Sequence, residues 1–326
     1  MKLVAADIGG THARFALAEV AGGRVVAMGK AVTLKTAAHA SLETAWEDFA
    51  RHAGGELPRA AALAVAAPIA GDVIRLTNNP WIIRPSLIRE KLGLDADLIV
   101  NDFAAVGHAV AQAASEHFIH LTGPDVALPG EGTISIVGPG TGLGVAHLWR
   151  GDEGYRVVPT EGGHIDFAPL DAIEDAILAR LRQRHRRVSV ERIVAGPGLV
   201  EIHATLAALE GRAIRELPDH ELWRIGMEGS DSLAAAAVER FCLSLGSVAG
   251  DIALAQGGGA VVIAGGLGYR IREVLLRSGF AERFRAKGRF EGLMASLPVK
   301  LIVHPQPGLF GAAAAFAQAE QQGKLS

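Results

Sequence analysis

The sequence predicts an α/β protein with mixed sheets, built from two related halves. Apolar, β-branched runs alternate with segments of helical spacing along all 326 residues, the pattern of layered strands and helices. Two strand–glycine turn–strand units, "KLVAADIGGTHARFALAEV" and "TISIVGPGTGLGVAHLWR", mix hairpins with strand–helix units, which argues against one uniform parallel array. The two also align. "GTHARFA" at 10–16 lies over "GTGLGVA" at 140–146, sharing Gly-Thr and the closing Ala, and such self-similarity suggests two halves facing one another across a ligand cleft.

In chain order, "KLVAADI" is rich in strand residues and "ARFALAEV" follows after only "GGTH", giving strand–turn–strand. "ASLETAWEDFARHAG" has helical spacing and stops at Gly54 and Gly55. "AALAVAAP" reads as a buried strand, and "DVIRLTNNPW" as a strand running into a polar loop. A short helix "PSLIREKLG", a strand "ADLIVNDF" and a helix "AAVGHAVAQA" follow. From Thr133 the pattern restarts. Helices are expected at "AIEDAILARLRQRH", at "DSLAAAAVERFCLSLGSVAGDIALAQG" and, after the strand "AVVIAGG", at "YRIREVLLRSG". "VKLIVHPQPG" and the alanine-rich "LFGAAAAFAQAEQQ" close the chain.

Composition narrows the class. Apolar residues make up 49% and charged residues 21%, with a net charge of −3, which suits a globular protein of roughly two domains. Neither a nucleic-acid nor a membrane partner is expected from so balanced a charge. The single cysteine, Cys242, excludes an internal disulfide framework and a multi-cysteine zinc cage. It falls in a helical run, as a small core residue. Asp7 interrupts the first apolar run before a secretory core can form, so the expected location is cytoplasmic. Six basic residues between Arg180 and Arg187 read as a solvated helix face.

Glycine turns point to chemistry. Where no Cβ intervenes, successive N–H groups can converge on one anion. The turns at Gly9, Gly10 and Thr11 and at Gly138, Gly140, Thr141 and Gly142 are candidates for holding phosphates; each alone also reads as an ordinary hairpin turn. The dinucleotide register fails, since Leu143 occupies the third glycine's place, and no Walker lysine is present. Asp7 precedes the first turn. A carboxylate beside phosphate-binding amides calls for a cation, Mg²⁺ bound directly or through water; the plainer alternative is a turn-forming aspartate. Asn101 and Asp102 end an apolar strand, where Asp102 fits either a helix cap or a base for an alcohol.

Together, "DIGGTHARFA", "LTNNPW", "IVNDF", "GPGTGLGVAH", "EGGHIDFAP", "VERIVAGPGL", "IAGGLG" and "PGLFGAAAAF" resemble the bacterial ATP-dependent glucokinase family, in the family's order and across essentially the whole chain. The resemblance implies a two-lobe actin-like ATPase (ribonuclease H-like) fold with a central cleft, within the actin/hexokinase/Hsp70-like superfamily. The smaller lobe would comprise residues 1–106 plus 305–326 and the larger one 107–304. It implies transfer of the γ-phosphoryl group of Mg-ATP to the 6-hydroxyl of D-glucose, with Asp102 as base. Asn78, Asn101, Glu161, His164 and Glu191 would hold the sugar. Ala6, Asp7, Ile8, Gly9, Gly10, Thr11, Gly138, Gly140, Thr141, Gly142, Gly265 and Gly266 would hold the nucleotide, and Asp7 the metal through water. Such enzymes are expected to be homodimers. Kinases of mannose, fructose or an N-acetylhexosamine, or a sugar sensor without transfer, are the alternatives.

The residues suit these roles. A carboxylate such as Glu161 accepts from vicinal hydroxyls, while the imidazole of His164 can donate and accept. The E-x-x-H spacing of that pair would suggest a metal only on a helix, and Gly162 and Gly163 between them oppose one. Glu191 on sequence alone reads better as a solvent-facing charge paired with Arg187 or Arg192, and only the resemblance makes it a sugar contact. Two departures from the family pattern, His12 where asparagine is common and Pro139 where alanine is frequent, both border the phosphate turns. The cysteine-rich zinc motif of the related repressor/kinase branch is lacking.

Overall fold

In the computed structural model, which describes residues 1–69, 71–76, 79–213 and 217–325, the chain forms two units. Met1–Ala114, Val157–Pro159 and His304–Ser326 make the first; Ser115–Arg156 and Thr160–Val303 make the second.

The first unit starts with strand β1 (Lys2–Ile8) and continues through β2 (His12–Ala21), β3 (Arg24–Met28), β4 (Val32–Lys35), helix α1 (Leu42–Ala53) and β5 (Ala60–Val65). A small antiparallel pair, β6 (Ile74–Arg75) and β7 (Ile82–Ile83), precedes α2 (Ile88–Leu92), β8 (Ala96–Asn101) and α3 (Asp102–Gln112), and the last helix of the chain, α12 (Pro307–Gln321), completes the unit. The main sheet runs β3-β2-β1-β5-β8, with β4 on β2. β1 pairs antiparallel with β2 and parallel with β5, and β5 parallel with β8.

Alternation along each strand sends successive side chains to opposite layers. Val4, Ala6, Ile8, Phe15, Leu63 and Val65 pack with Leu42, Trp46 and Phe49 of α1, where Phe15 stacks on Phe49 at 5.3 Å and meets Trp46 edge-on. Leu3, Ala5, Ala16, Ala62 and Ala64 instead face Leu309, Ala312, Ala313 and Phe316 of α12. Alanine on both sides brings helix and sheet close. Ser41 and Thr44 form a capping box that starts α1, and Gly54 ends it at φ 93°.

The second unit holds β9 (Phe118–Thr122), β10 (Gly132–Pro139), β11 (Leu143–Gly151), β12 (Gly154–Thr160, except its residues Val157–Pro159), α4 (Ala172–Arg182), α5 (Gly198–Leu209), α6 (Asp219–Glu228) and α7 (Ser232–Gln256). It continues through β13 (Gly258–Ile263), α8 (Gly265–Arg270), α9 (Arg272–Arg277), α10 (Phe280–Arg285), α11 (Glu291–Ala295) and β14 (Val299–Ile302). The sheet runs β12-β11-β10-β13-β14-β9. Its antiparallel β10/β11 hairpin followed by parallel β13 and β14 repeats the order of β1/β2, β5 and β8, so the internal match at 10–16 and 140–146 marks equivalent hairpins.

Helix α7 is apolar around most of its surface, and 72% of its most apolar 18-residue stretch is buried within the protein; such a helix belongs to a core. Cys242 lies there, fully buried, its thiol pushed up to about 12 by desolvation, the inert core role expected of it. Asp171 and Glu174 of the α4 start meet Arg240 of α7 and Arg283 of α10, fastening three helices with partly and fully buried charges. Several elements differ from the sequence expectation. The run "YRIREVLLRSG" is split into α8 and α9, α8 beginning at Gly265, and α5, α6, β3, β4, β9 and β12 carry no strong sequence signal of their own.

Close helix packing generates the first testable outcome. A Cβ at Gly311 would stand 1.8 Å from the Ala105 carbonyl oxygen of α3, so Gly311→Ala must push α12 off α3. Chemical denaturation of the variant is expected to show a loss of about 1–3 kcal/mol or more. Gly292→Ala, with nothing within 4 Å of the new Cβ, is expected to cost nothing.

Candidate active site

Within the first unit, β1 delivers Asp7 to its C-terminal end and the chain then turns through residues 9–11. The Gly9 amide donates to the His12 carbonyl at 3.0 Å, and Thr36 holds the turn by donating to it twice, from its amide to the Thr11 carbonyl and from Oγ1 to the Gly10 carbonyl. The amides of Gly10 and Thr11 donate to no described residue, which leaves two adjacent N–H groups for an anion. Ala6 and Ile8 have fully buried side chains, so only their backbone can touch a nucleotide. His12 sits on β2 opposite Lys35.

Asp7 lies cross-strand from Arg14, whose Nη1 donates to Oδ2 at 3.2 Å. Burial nonetheless raises the Asp7 pKa above the ordinary value, with Arg14 opposing. The N-terminal turn of α12 abuts the same carboxylate: a Cβ at Gly308 would lie 2.7 Å from Asp7 Cγ and Oδ2. Among the described residues no group of three or more His, Cys, Asp or Glu side chains could cage a metal. Mg²⁺, however, commonly rests on one or two carboxylates with waters and substrate phosphates. Asp7 beside two unpaired amides fits that pattern.

β8 ends on Asn101, and the strand-to-helix step decides which neighbour caps α3. Asn101 is the cap: its Oδ1 accepts from the amides of Phe103 at 2.9 Å and Ala104 at 3.2 Å, and its Nδ2 donates to the Ala67 carbonyl. Asp102 is therefore the first helical residue, its Oδ1 accepting from the Phe103 amide at 2.8 Å. Desolvation raises its pKa to about 6, the Phe103 amide opposes, and the nearby charge of Asp7 adds to the rise. A carboxyl group at this value is ionised near neutrality and still basic.

Within the second unit, the turn at 140–142 is tied at both ends. Gly140 N–H donates to the Gly142 carbonyl and Gly196 N–H to the Gly140 carbonyl, each at 2.8 Å. Glu191, on a single 3₁₀ turn (Val190–Arg192), accepts from the Leu143 amide at 2.9 Å. The amides of Thr141 and Gly142 donate to no described residue, as in the first turn. Gly265, at φ 80°, brings the start of α8 onto this hairpin, since a Cβ there would lie 2.6 Å from the Pro139 carbonyl oxygen and 3.2 Å from the Gly138 carbonyl carbon. Gly266 follows with open space around it.

Glu161 and His164 flank one 3₁₀ turn (Gly162–His164) rather than an α-helix. Gly162 and Gly163 press that turn on Val145 and on the Leu143 carbonyl. Both flanking side chains are more than half exposed and stand 3.8 Å apart, free to meet a ligand. The surface pairings open to Glu191 on sequence do not form: Arg187 engages Asp166 and the His164 carbonyl, and Arg192 meets His185. The basic run is partly neutralised, Arg180 and Arg184 both facing Glu201. Asn78 lies outside the described residues. Sequence reasoning missed Arg14 and Gly308; an arginine two strand positions past His12 and a glycine after Pro307 were visible but carried no spacing signal.

Known proteins resemble this chain along almost its full length. A family model described as Glucokinase matches residues 4–319. A glucokinase of Zymomonas mobilis is 60% identical over 97% of this chain and 98% of its own length. The crystal structure of a glucokinase from an Antarctic psychrotroph superposes with a TM-score of 0.85 at 33% identity, covering 96% of this chain and 98% of that one. A ROK family glucokinase from Streptomyces griseus, in complex with glucose and AMPPNP, shares the fold at a TM-score of 0.62 and 17% identity, over 97% of this chain and 99% of its own.

The buried carboxyl group generates a stability outcome. With its pKa raised to about 6 from the ordinary 3.8, Asp102 favours the fold fully when protonated, below about pH 4, and loses that contribution as the pH rises through 6. Asp102→Asn is therefore expected to be more stable than the parent at pH 8, on the order of 1–3 kcal/mol in denaturant titrations, with the advantage shrinking away toward pH 4.

Proposed function

The chain belongs to the glucokinase family, an ATP-dependent hexose kinase, and we propose that its transfer of the γ-phosphoryl group of ATP to D-glucose runs through Asp102 as proton acceptor. One observation carries the assignment of the base. Asn101, not Asp102, caps α3, and burial raises the Asp102 pKa to about 6. The 6-hydroxyl gives its proton to Asp102 as its oxygen bonds to the γ-phosphorus, the bond to the β-phosphate oxygen breaks, and ADP leaves. Little covalent chemistry is required of the protein beyond placing these groups and stabilising the spread charge.

The unpaired amides of the two glycine turns supply N–H donors for the phosphates, and Asp7 would hold Mg²⁺, which supplies neutralisation of phosphate charge when bound. Glu161 and His164, exposed on their 3₁₀ turn, and Glu191 meet sugar hydroxyls. Asn101 can offer its second Nδ2 hydrogen to the same ligand while still capping α3. Asn78 joins the sugar site on the family pattern. A site built on such hydrogen bonds rejects a sugar that leaves one of its groups unpaired. The reading also places the enzyme in the cytoplasm as a homodimer, its smaller lobe made of residues 1–106 and 305–326.

Asp102→Asn is expected to lower kcat by about 10²–10⁴-fold while the KM for glucose stays within a few-fold. Turnover near the parent's would remove Asp102 from the chemistry. The parent's kcat/KM should fall tenfold per pH unit below about pH 6, where Asp102 takes up its proton. Glu161→Ala and His164→Ala should raise the KM for glucose with little effect on that for ATP; an unchanged glucose KM would take them out of the sugar site.

A further inference from the structure

We propose that Glu191 couples the two ligands: one carboxylate oxygen latches the second glycine turn while the other receives the sugar, so that each ligand changes the affinity for the other. The inference rests on the reading of Glu191 as a sugar contact and of the 140–142 turn as a phosphate turn.

Glu191 Oε2 accepts from the amide of Leu143 at 2.9 Å, the residue that leaves the turn for β11. It also lies across Gly142, where a Cβ would stand 2.5 Å from Oε2 and 3.2 Å from Cδ. Glycine at 142 is thus what allows a carboxylate to lie on the turn. The other side of the turn is held by the same chain segment, through Gly196 N–H to the Gly140 carbonyl at 2.8 Å, and Gly196 is itself fixed by the Trp223 indole N–H on its carbonyl at 3.0 Å. Segment 190–198 therefore grips the turn at two points, by the Glu191 side chain and by the Gly196 backbone. Glu191 and Thr141 line one pocket, with His185, Arg192, Ala195 and Gly198.

Oε1 makes no hydrogen bond to a described residue, and neither Arg187 nor Arg192 neutralises the group. An unneutralised carboxylate beside two phosphate-binding amides repels a nucleotide's phosphates. Hydroxyl donors on Oε1 disperse that charge without breaking the latch. Sugar binding then favours nucleotide binding, and linkage makes the effect reciprocal.

Calorimetric titration of MgADP, with and without saturating glucose, tests this in the whole enzyme without turnover. In the parent, glucose should tighten MgADP by about fivefold or more. Glu191→Ala loses the latch. It also loses the repelling charge, so its readout is the ratio of MgADP affinities with and without glucose, which should fall to one. Glu191→Gln keeps an oxygen for the Leu143 amide but removes the charge, so without sugar it should bind MgADP about fivefold or more tighter than the sugar-free parent, while losing glucose affinity. Gly142→Ala displaces the carboxylate with Glu191 still present and should reproduce the loss of coupling. A parent ratio of one, or an E191Q variant whose sugar-free MgADP affinity stays at the parent's, overturns the proposal; in the second case a raised glucose Kd would leave the sugar contact standing. Unchanged glucose affinity in E191A would instead sink the sugar contact itself.

Discussion

Gly308 and Gly311 allow the last helix to lay bare backbone against Asp7 and against Ala105, and the first unit is organised around that approach. The sheet face under α12 is lined by Ala5, Ala16, Ala62 and Ala64, so the helix sits low enough for its first turn to reach the end of β1. Ala105 lies one helical turn beyond Asp102 on α3. One element thus abuts both the carboxylate at the end of β1 and the helix that carries the second one. Side chains at 308 or 311 would drive apart groups whose mutual field already raises the pKa of Asp102.

Holding two carboxylates in such surroundings costs stability. Burial raises both groups, and the fold answers only in part, with Arg14 at Asp7 and, at Asp102, the amides of Phe103 and Asp102 itself and the Asn101 side chain. A full set of hydrogen bonds on Asp102 would steady the ion and leave a poor base. The arrangement gives up stability for a proton acceptor matched to neutral pH, as active sites commonly do.

The second unit solves a different problem. Its glycine turn is fixed by contacts from a segment some 50 residues on in sequence, roughly the separation of Leu143 and Glu191. Glu161 and His164 are left exposed, facing each other at 3.8 Å. Rigid backbone donors suit phosphates, whose oxygens accept from many directions. Sugar hydroxyls, which both donate and accept, are better met by side chains that can adjust.

Much was legible in the residues. Period-two apolar runs and glycine punctuation gave both hairpins, and their shared Gly-Thr anticipated the common strand order of the two sheets. Motifs in family order pointed to the activity. Hidden were the assignment of the cap to Asn101 rather than Asp102, the latch of Glu191 on Leu143, the guanidinium beside Asp7 and the glycine-to-backbone approach of α12. Backbone propensity, turn geometry and side-chain alternation act between near neighbours, so the chain's own order determines them. Which carboxylate stays free, and how far its pKa climbs, depends on solvent exclusion and on partners far along the chain. Only packing sets those.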